Sequence, residues 1–163
     1  MACNLTPLQV QRILRWGFAG VFFITAIWAL SFFYLIGFNT TNSLPGYVYL
    51  IIRYHRPAKN EFVAFHPPPN DFYPHRWFIK YVKGTAGDVV RWDGRVFSIN
   101  DQPLGSAKVR SENGIALARG TEGQIPPDYY FVWSEHADSF DSRYAQIDLV
   151  HRDRIIGRAY RLF

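Results

Sequence analysis

The chain holds a single cysteine, Cys3, among its 163 residues. That scarcity excludes a disulfide framework, a cysteine-ligated metal site and a thiol nucleophile in the body of the chain. Negative charge is missing from the first third: all 13 acidic residues lie beyond Asn60. Charge of either sign is missing between Gly17 and Phe38, and none follows until Arg53. There is no internal repeat, no long amphipathic helical pattern and no Gly-x-Ser-x-Gly turn. A Ser/His/Asp hydrolase is discounted accordingly, because His55, His66, His75, His136 and His151 fall in no nucleophile motif. His66, His75 and His136 lack the spacing of a metal site, so no metal and no cofactor is expected.

What is present begins with the uncharged run itself. From Gly17 to Phe38 the chain is long enough, at about 1.5 Å per residue, to cross a hydrocarbon core of about 30 Å. Trp16 at one end and Phe32, Phe33 and Tyr34 near the other have the amphipathic character of interfacial aromatics. Arg12 and Arg15 precede the run, which puts residues 1–16 in the cytoplasm, 17–38 in the membrane and 39–163 outside. A cleaved signal peptide has an apolar core of about 7 to 15 residues and ends at small residues; this run is longer and no Ala-x-Ala follows. The outer part is only mildly basic. That balance implies no nucleic acid and suits a domain held close to membrane lipid.

Beyond the run, short apolar stretches alternate with turn formers, the pattern of an all-β domain. Expected strands are Tyr47–Tyr54, Glu61–Phe65, Trp77–Lys83, Val89–Trp92, Val96–Ile99, Tyr129–Trp133 and Ile155–Tyr160, with turns at Asp93-Gly94 and Asn100-Asp101. The segment 104–128 is polar and weakly periodic, and reads as an insertion or long hairpin projecting from the core. Phe62, Phe65, Phe72, Tyr73, Trp77 and Phe78 offer a surface that can dip into a bilayer.

Two residue types carry the chemistry. Ser43 lies five residues past the apolar run, and Lys80 lies within Trp77-Phe78-Ile79-Lys80-Tyr81-Val82. A serine hydroxyl needs a neighbouring base, and a lysine serves only when neutral. At its ordinary pKa roughly one lysine in a thousand is neutral at pH 7, so the site must lower that value by about two to four units, and apolar burial is the means. Lys80 has apolar neighbours on both sides, whereas Lys83 abuts Gly84 at a turn and is the weaker candidate. On local sequence alone, a solvent-facing strand lysine is the commoner outcome. A buried neutral amine also needs a partner to orient it, and Ser139 can supply a hydroxyl. Asp141 and Arg143, two apart on extended chain, can share a face.

Taken together, Asn39-Thr40-Thr41-Asn42-Ser43-Leu44-Pro45, Glu61-Phe62-Val63-Ala64-Phe65, Lys80 through Asp88 and Ser139-Phe140-Asp141-Ser142-Arg143 resemble the ordered boxes of the type I signal peptidases. Within that superfamily the Asn-x-Thr-x-Ser-x-Pro form is similar to the TraF-type peptidases of bacterial conjugative transfer systems. Gly46 directly after Pro45, Asn60-Glu61 and Ala145-Gln146 depart from the usual pattern. The resemblance implies one transmembrane helix followed by an all-β signal-peptidase-like catalytic domain. It implies Ser43 as acylating nucleophile, Lys80 as general base, Thr41 as an oxyanion donor, Ser139 as the hydroxyl steadying the lysine, and Asp141 with Arg143 as a supporting pair. It further implies a prepilin or secretory precursor cleaved after small residues, with ring closure of the pilin by its own amine in some members. An inner-membrane location, a periplasmic catalytic domain and other conjugative transfer proteins as partners complete the expectation. A housekeeping signal peptidase and a non-catalytic membrane-anchored β scaffold of a secretion apparatus are the alternatives.

Overall fold

The computed structural model describes residues 6–41, 43–69 and 77–163. The chain begins with helix α1 (Pro7–Ser31), opened by a capping box in which the Thr6 side chain accepts from the Gln9 N–H and the Gln9 side chain accepts from Thr6. Pro7 at its first turn costs no hydrogen bond there. None of its residues is buried. Past Arg15 the helix carries no charge on any face, and it is long and apolar enough to cross a membrane.

The uncharged run is therefore not one helix from 17 to 38. The helix starts ten residues earlier and ends at Ser31, and the last residues of the run form strand β1 (Tyr34–Phe38). An absence of charge does not distinguish a lipid-facing helix from a strand that lines an apolar cavity. β1 pairs antiparallel with β2 (Val48–Arg53), Ile36 opposite Leu50. There follow β3 (Phe62–Phe65), β4 (Phe78–Gly84), β5 (Val89–Asp93), β6 (Val96–Ile99), β7 (Gln102–Ser106), β8 (Gly123–Gln124), β9 (Tyr129–Trp133), β10 (Val150–His151) and β11 (Ile155–Arg161).

The larger sheet runs β1-β2-β11-β3-β4-β9-β10, and the smaller runs β7-β6-β5-β8. In β2 the period of two places Tyr49 and Ile51 on the buried face, in a core shared with Leu44, Ala64 and Ala159. A second core, of Val63, Phe65, Val82, Val132, Ile147 and Val150, lies under β3, β4 and β9. A third, around Val90, Phe97, Ile125 and Phe131, joins the two sheets. Burial of each Val, Leu, Ile or Phe side chain among these is worth about 1.5–3 kcal/mol.

Two expectations need correction. The segment 104–128 does not simply project: it supplies part of β7 and all of β8, and buries Ala107, Leu117 and Ile125. Its sparse apolar residues are the ones that pack, which weak periodicity concealed. Phe62, Phe65, Trp77 and Phe78 belong to the cores rather than to a lipid-dipping surface; Phe72 and Tyr73, with His75, lie outside the described residues. Among the described residues past α1, the exposed aromatics are instead Phe32, Phe33, Tyr34, Phe38, Tyr47, Tyr54 and Phe163.

The larger sheet curls until β1 faces the start of β4. Gly37 of β1 lies under the Trp77 indole so closely that any Cβ there would overlap the ring. This approach leaves a cavity between the two strands.

Candidate active site

The cavity has a volume of about 580 Å³. β1 contributes Ile36 and Phe38, the outward-facing residues of its alternating pattern. The loop to β2 contributes Thr41 and Ser43, β4 contributes Lys80, and the loop after β9 contributes His136, Asp138 and Ser139. Glu112 reaches the rim from the 104–128 segment. Three elements distant in sequence thus bring Thr41, Ser43, Lys80 and Ser139 to one opening.

Lys80 lies in the interior. It sits on β4 opposite Val63, on the same face as Val82 and Gly84, and only 6% of its surface is exposed. Its amine donates to Ser139 Oγ at 2.7 Å. Burial lowers its pKa from 10.5 to about 8, with Asp141 opposing and Arg143 adding to the effect. About a tenth of such lysines are neutral at pH 7. Lys83, an odd number of residues along, points to the other face, bonds Asn60 and lies over the rings of Tyr81 and Trp133.

Asp141 and Arg143 form a buried pair behind Lys80. The guanidinium donates from Nε at 2.8 Å and from Nη2 at 3.0 Å to the two carboxylate oxygens. The N–H groups of Ser134 and Arg143 donate to the same carboxylate. Burial raises the Asp141 carboxyl above the usual carboxylate range, against the pull of Arg143 and then Lys80. Arg143 also donates to the Ser134 carbonyl at 2.5 Å.

Ser43 is held differently. Its Oγ lies 2.8 Å from Thr41 Oγ1, and among the described residues it makes no hydrogen bond to Lys80. Every carbonyl from Ser43 to Gly46 accepts from a side chain. Ser134 Oγ donates to Ser43, Asn39 Nδ2 to Leu44 at 3.0 Å and to Gly46 at 3.1 Å, and the Tyr49 hydroxyl to Pro45. Burial pushes the Tyr49 phenol up to about 12, keeping it a donor. Gly46 has φ of +89°, in the left-handed region that favours glycine, which accounts for its place directly after Pro45.

All six expected site residues therefore lie in or directly behind one cavity. Sequence reasoning did not single out Ser134, Tyr49 or the Asn39 side chain. Asn39 carried a readable signal: its Oδ1 accepts from the N–H two residues on, the turn that asparagine favours before Thr41. Ser134 and Tyr49 carried none, because their partners are backbone carbonyls, that of Ser43 far along the chain and that of Pro45 four residues back. Among the described residues no group of His, Cys, Asp and Glu is placed to hold a metal ion.

The chain is 28% identical over 125 residues to the conjugal transfer protein TraF of Agrobacterium fabrum (strain C58 / ATCC 33970), a match spanning 65% of this chain and 70% of the relative. A crystal structure of a signal peptidase I from Enterococcus faecalis V583 superposes with a TM-score of 0.44 at 22% identity, over 63% of this chain and 96% of that one. The model of the family "Signal peptidase, peptidase S26" matches residues 10–163, nearly the whole chain, so a peptidase-type function goes with the fold. The single apolar helix ahead of the β domain fits single-pass membrane anchoring, and the chain belongs to the signal peptidase family, S26.

Proposed function

We propose that this protein is a membrane-bound serine endopeptidase in which Ser43 is the nucleophile and Lys80 the general base, acting on signal-peptide-like or prepilin precursors after small residues. The observation that carries the reading is Lys80: an amine buried in a strand, hydrogen-bonded to Ser139, brought down to about 8, and opening on the same cavity as Ser43. A lysine kept near neutrality at the cost of burial is what proton abstraction from serine demands.

The steps follow from the contacts. An extended substrate enters beside β1, an edge strand of the larger sheet, with small side chains toward Ile36 and Phe38. Ser43 rotates from Thr41 and gives its proton to Lys80 as Oγ bonds to the scissile carbonyl carbon. The oxyanion is met by the Ser43 N–H, which has no acceptor among the described residues, and by the Thr41 hydroxyl, whose proton swings from Asn39 Oδ1 once Ser43 has turned away. Lys80 then gives the proton to the departing amine as the C–N bond breaks, leaving an ester on Ser43. Water, delivered through the same lysine, yields an acid and free serine; an attacking amine of the pilin itself yields an amide and a closed ring. Asp141 and Arg143 hold the wall that carries Ser139.

Arg12 and Arg15 at the start of α1 favour a cytoplasmic N-terminus in a bacterial inner membrane, with the β domain in the periplasm. Similarity to a conjugal transfer protein favours a conjugative context and a prepilin substrate over a general secretory one. The test is the intact mass of a candidate prepilin incubated in detergent with the wild type, Ser43→Ala and Lys80→Ala. Cleavage by the wild type alone is expected, and a product one water lighter than the linear form marks ring closure. Equal cleavage by either mutant refutes the mechanism.

A further inference from the structure

Among the described residues, Asn39 is the one whose side chain hydrogen-bonds the nucleophile loop on both sides of Ser43. Its Nδ2 donates forward to Leu44 O and Gly46 O, at 3.0 and 3.1 Å. Its Oδ1 accepts from the Thr41 N–H at 3.2 Å and from Thr41 Oγ1 at 3.1 Å. Two donors and two acceptor sites are all that a carboxamide has, and each is used. Its own N–H donates to Tyr47 O at 2.8 Å, closing the loop at the base.

This has a consequence for protons. The contact of 2.8 Å between Thr41 and Ser43 can be made by either hydroxyl. The single Thr41 proton is directed to Asn39 Oδ1, an acceptor that has no proton to give in return. The Ser43 proton must therefore fill the contact to Thr41. A directional chain results, from Ser43 to Thr41 to Asn39.

We propose that Asn39 is a positioning residue for the nucleophile: through Thr41 it orients the Ser43 hydroxyl, and through Leu44 and Gly46 it fixes the backbone that carries it. The inference rests on Ser43 being the nucleophile. The Asn39 side chain bonds Thr41 rather than Ser43 Oγ, so it acts through another residue and its effect falls on the rate of the chemical step. A misplacement of about 1 Å at a reacting group can cost about 100-fold.

The test uses the full chain in detergent and a quenched fluorescent peptide with alanines preceding the scissile bond, comparing Asn39→Ala, Thr41→Val, the double mutant and Ser43→Ala. Asn39→Ala is expected to lower kcat by about 30-fold to 100-fold with KM within about twofold and the melting temperature nearly unchanged. In the Thr41→Val background the same change is expected to cost under about fivefold, because part of its action runs through that hydroxyl. Fully additive losses, or a loss that tracks the melting temperature, overturn the proposal. A wild-type kcat for Asn39→Ala beside an inactive Ser43→Ala overturns it while leaving the serine reading intact. Turnover by Ser43→Ala removes both.

Discussion

Ser43 sits half-buried on an irregular loop at the mouth of the cavity, whereas Lys80 sits inside a strand with 6% of its surface exposed. The loop owes its shape to side chains that tie down four successive carbonyls; the strand is shaped by its own ladder and leaves the lysine to be governed by what surrounds it. A hydroxyl needs direction and access, and both come from hydrogen bonds at a surface. An amine that must lose its charge needs to be cut off from water, and only a core provides that. Neither position would serve the other group.

The contrast is broken most severely by removing the two groups proposed to react. Ser43→Ala and Lys80→Met are each expected to lower precursor cleavage by about 10⁴-fold or more in a timed mass assay, since members of such a unit fail together. Next comes the pair behind the base. Asp141→Ala leaves the Arg143 guanidinium buried without its counter-charge, and urea titration should show a loss of about 3–5 kcal/mol. Thr41→Val tests the loop side alone: a fall of about 100-fold in kcat, with stability held, is the expected outcome.

The base side has a smaller signature in stability. The Lys80 pKa of about 8 in the folded chain lies below its value of about 10.4 when unfolded. Between those values the unfolded chain holds a proton that the native one lacks, so stability rises with pH from about 8 to about 10.4. Below that window the charged amine costs the fold about 3 kcal/mol. Lys80→Met should recover much of that at pH 7 in urea titrations while abolishing cleavage, and flatten the pH dependence. Wild-type kcat/KM should climb with pH through a midpoint near 8. The smallest effect belongs to the helix. With no buried residue in α1, deleting residues 1–31 should leave the melting temperature of the β domain within a few degrees, whereas extending the deletion through Phe38 strips β2 of its partner and should lower it markedly.

The legible parts of the chain were those where one local property decides the outcome. Tyr129–Trp133 and Val96–Ile99 form strands with the expected limits because period, β-branching and bounding turns agree there. Lys80 was legible only in combination: its apolar neighbours alone left a solvent-facing strand lysine the commoner outcome, and Ser43 and the Ser139–Arg143 box turned the reading toward burial. β1 was hidden, since its apolar residues answer to a cavity formed with β4, some forty positions away. β7 and β8 were hidden for the opposite reason: they are short, polar and held by pairing with β6 and β5 rather than by their own pattern. The bracing of the loop by Ser134 and Tyr49 depends on backbone carbonyls, which every residue possesses and no sequence advertises.

Only Phe32 and Phe33 separate the end of α1 from β1, and β1 is itself a wall of the cavity. From Ser31 to Phe38 a fully extended chain spans at most about 25 Å. With the helix in a bilayer, the cavity is leashed within that height of the lipid surface and cannot reach a bond presented farther out. A substrate whose own apolar segment lies in the same bilayer meets it by sliding in two dimensions, and is measured by the leash: the distance from membrane to scissile bond becomes a criterion of selection as physical as the side chains beside it.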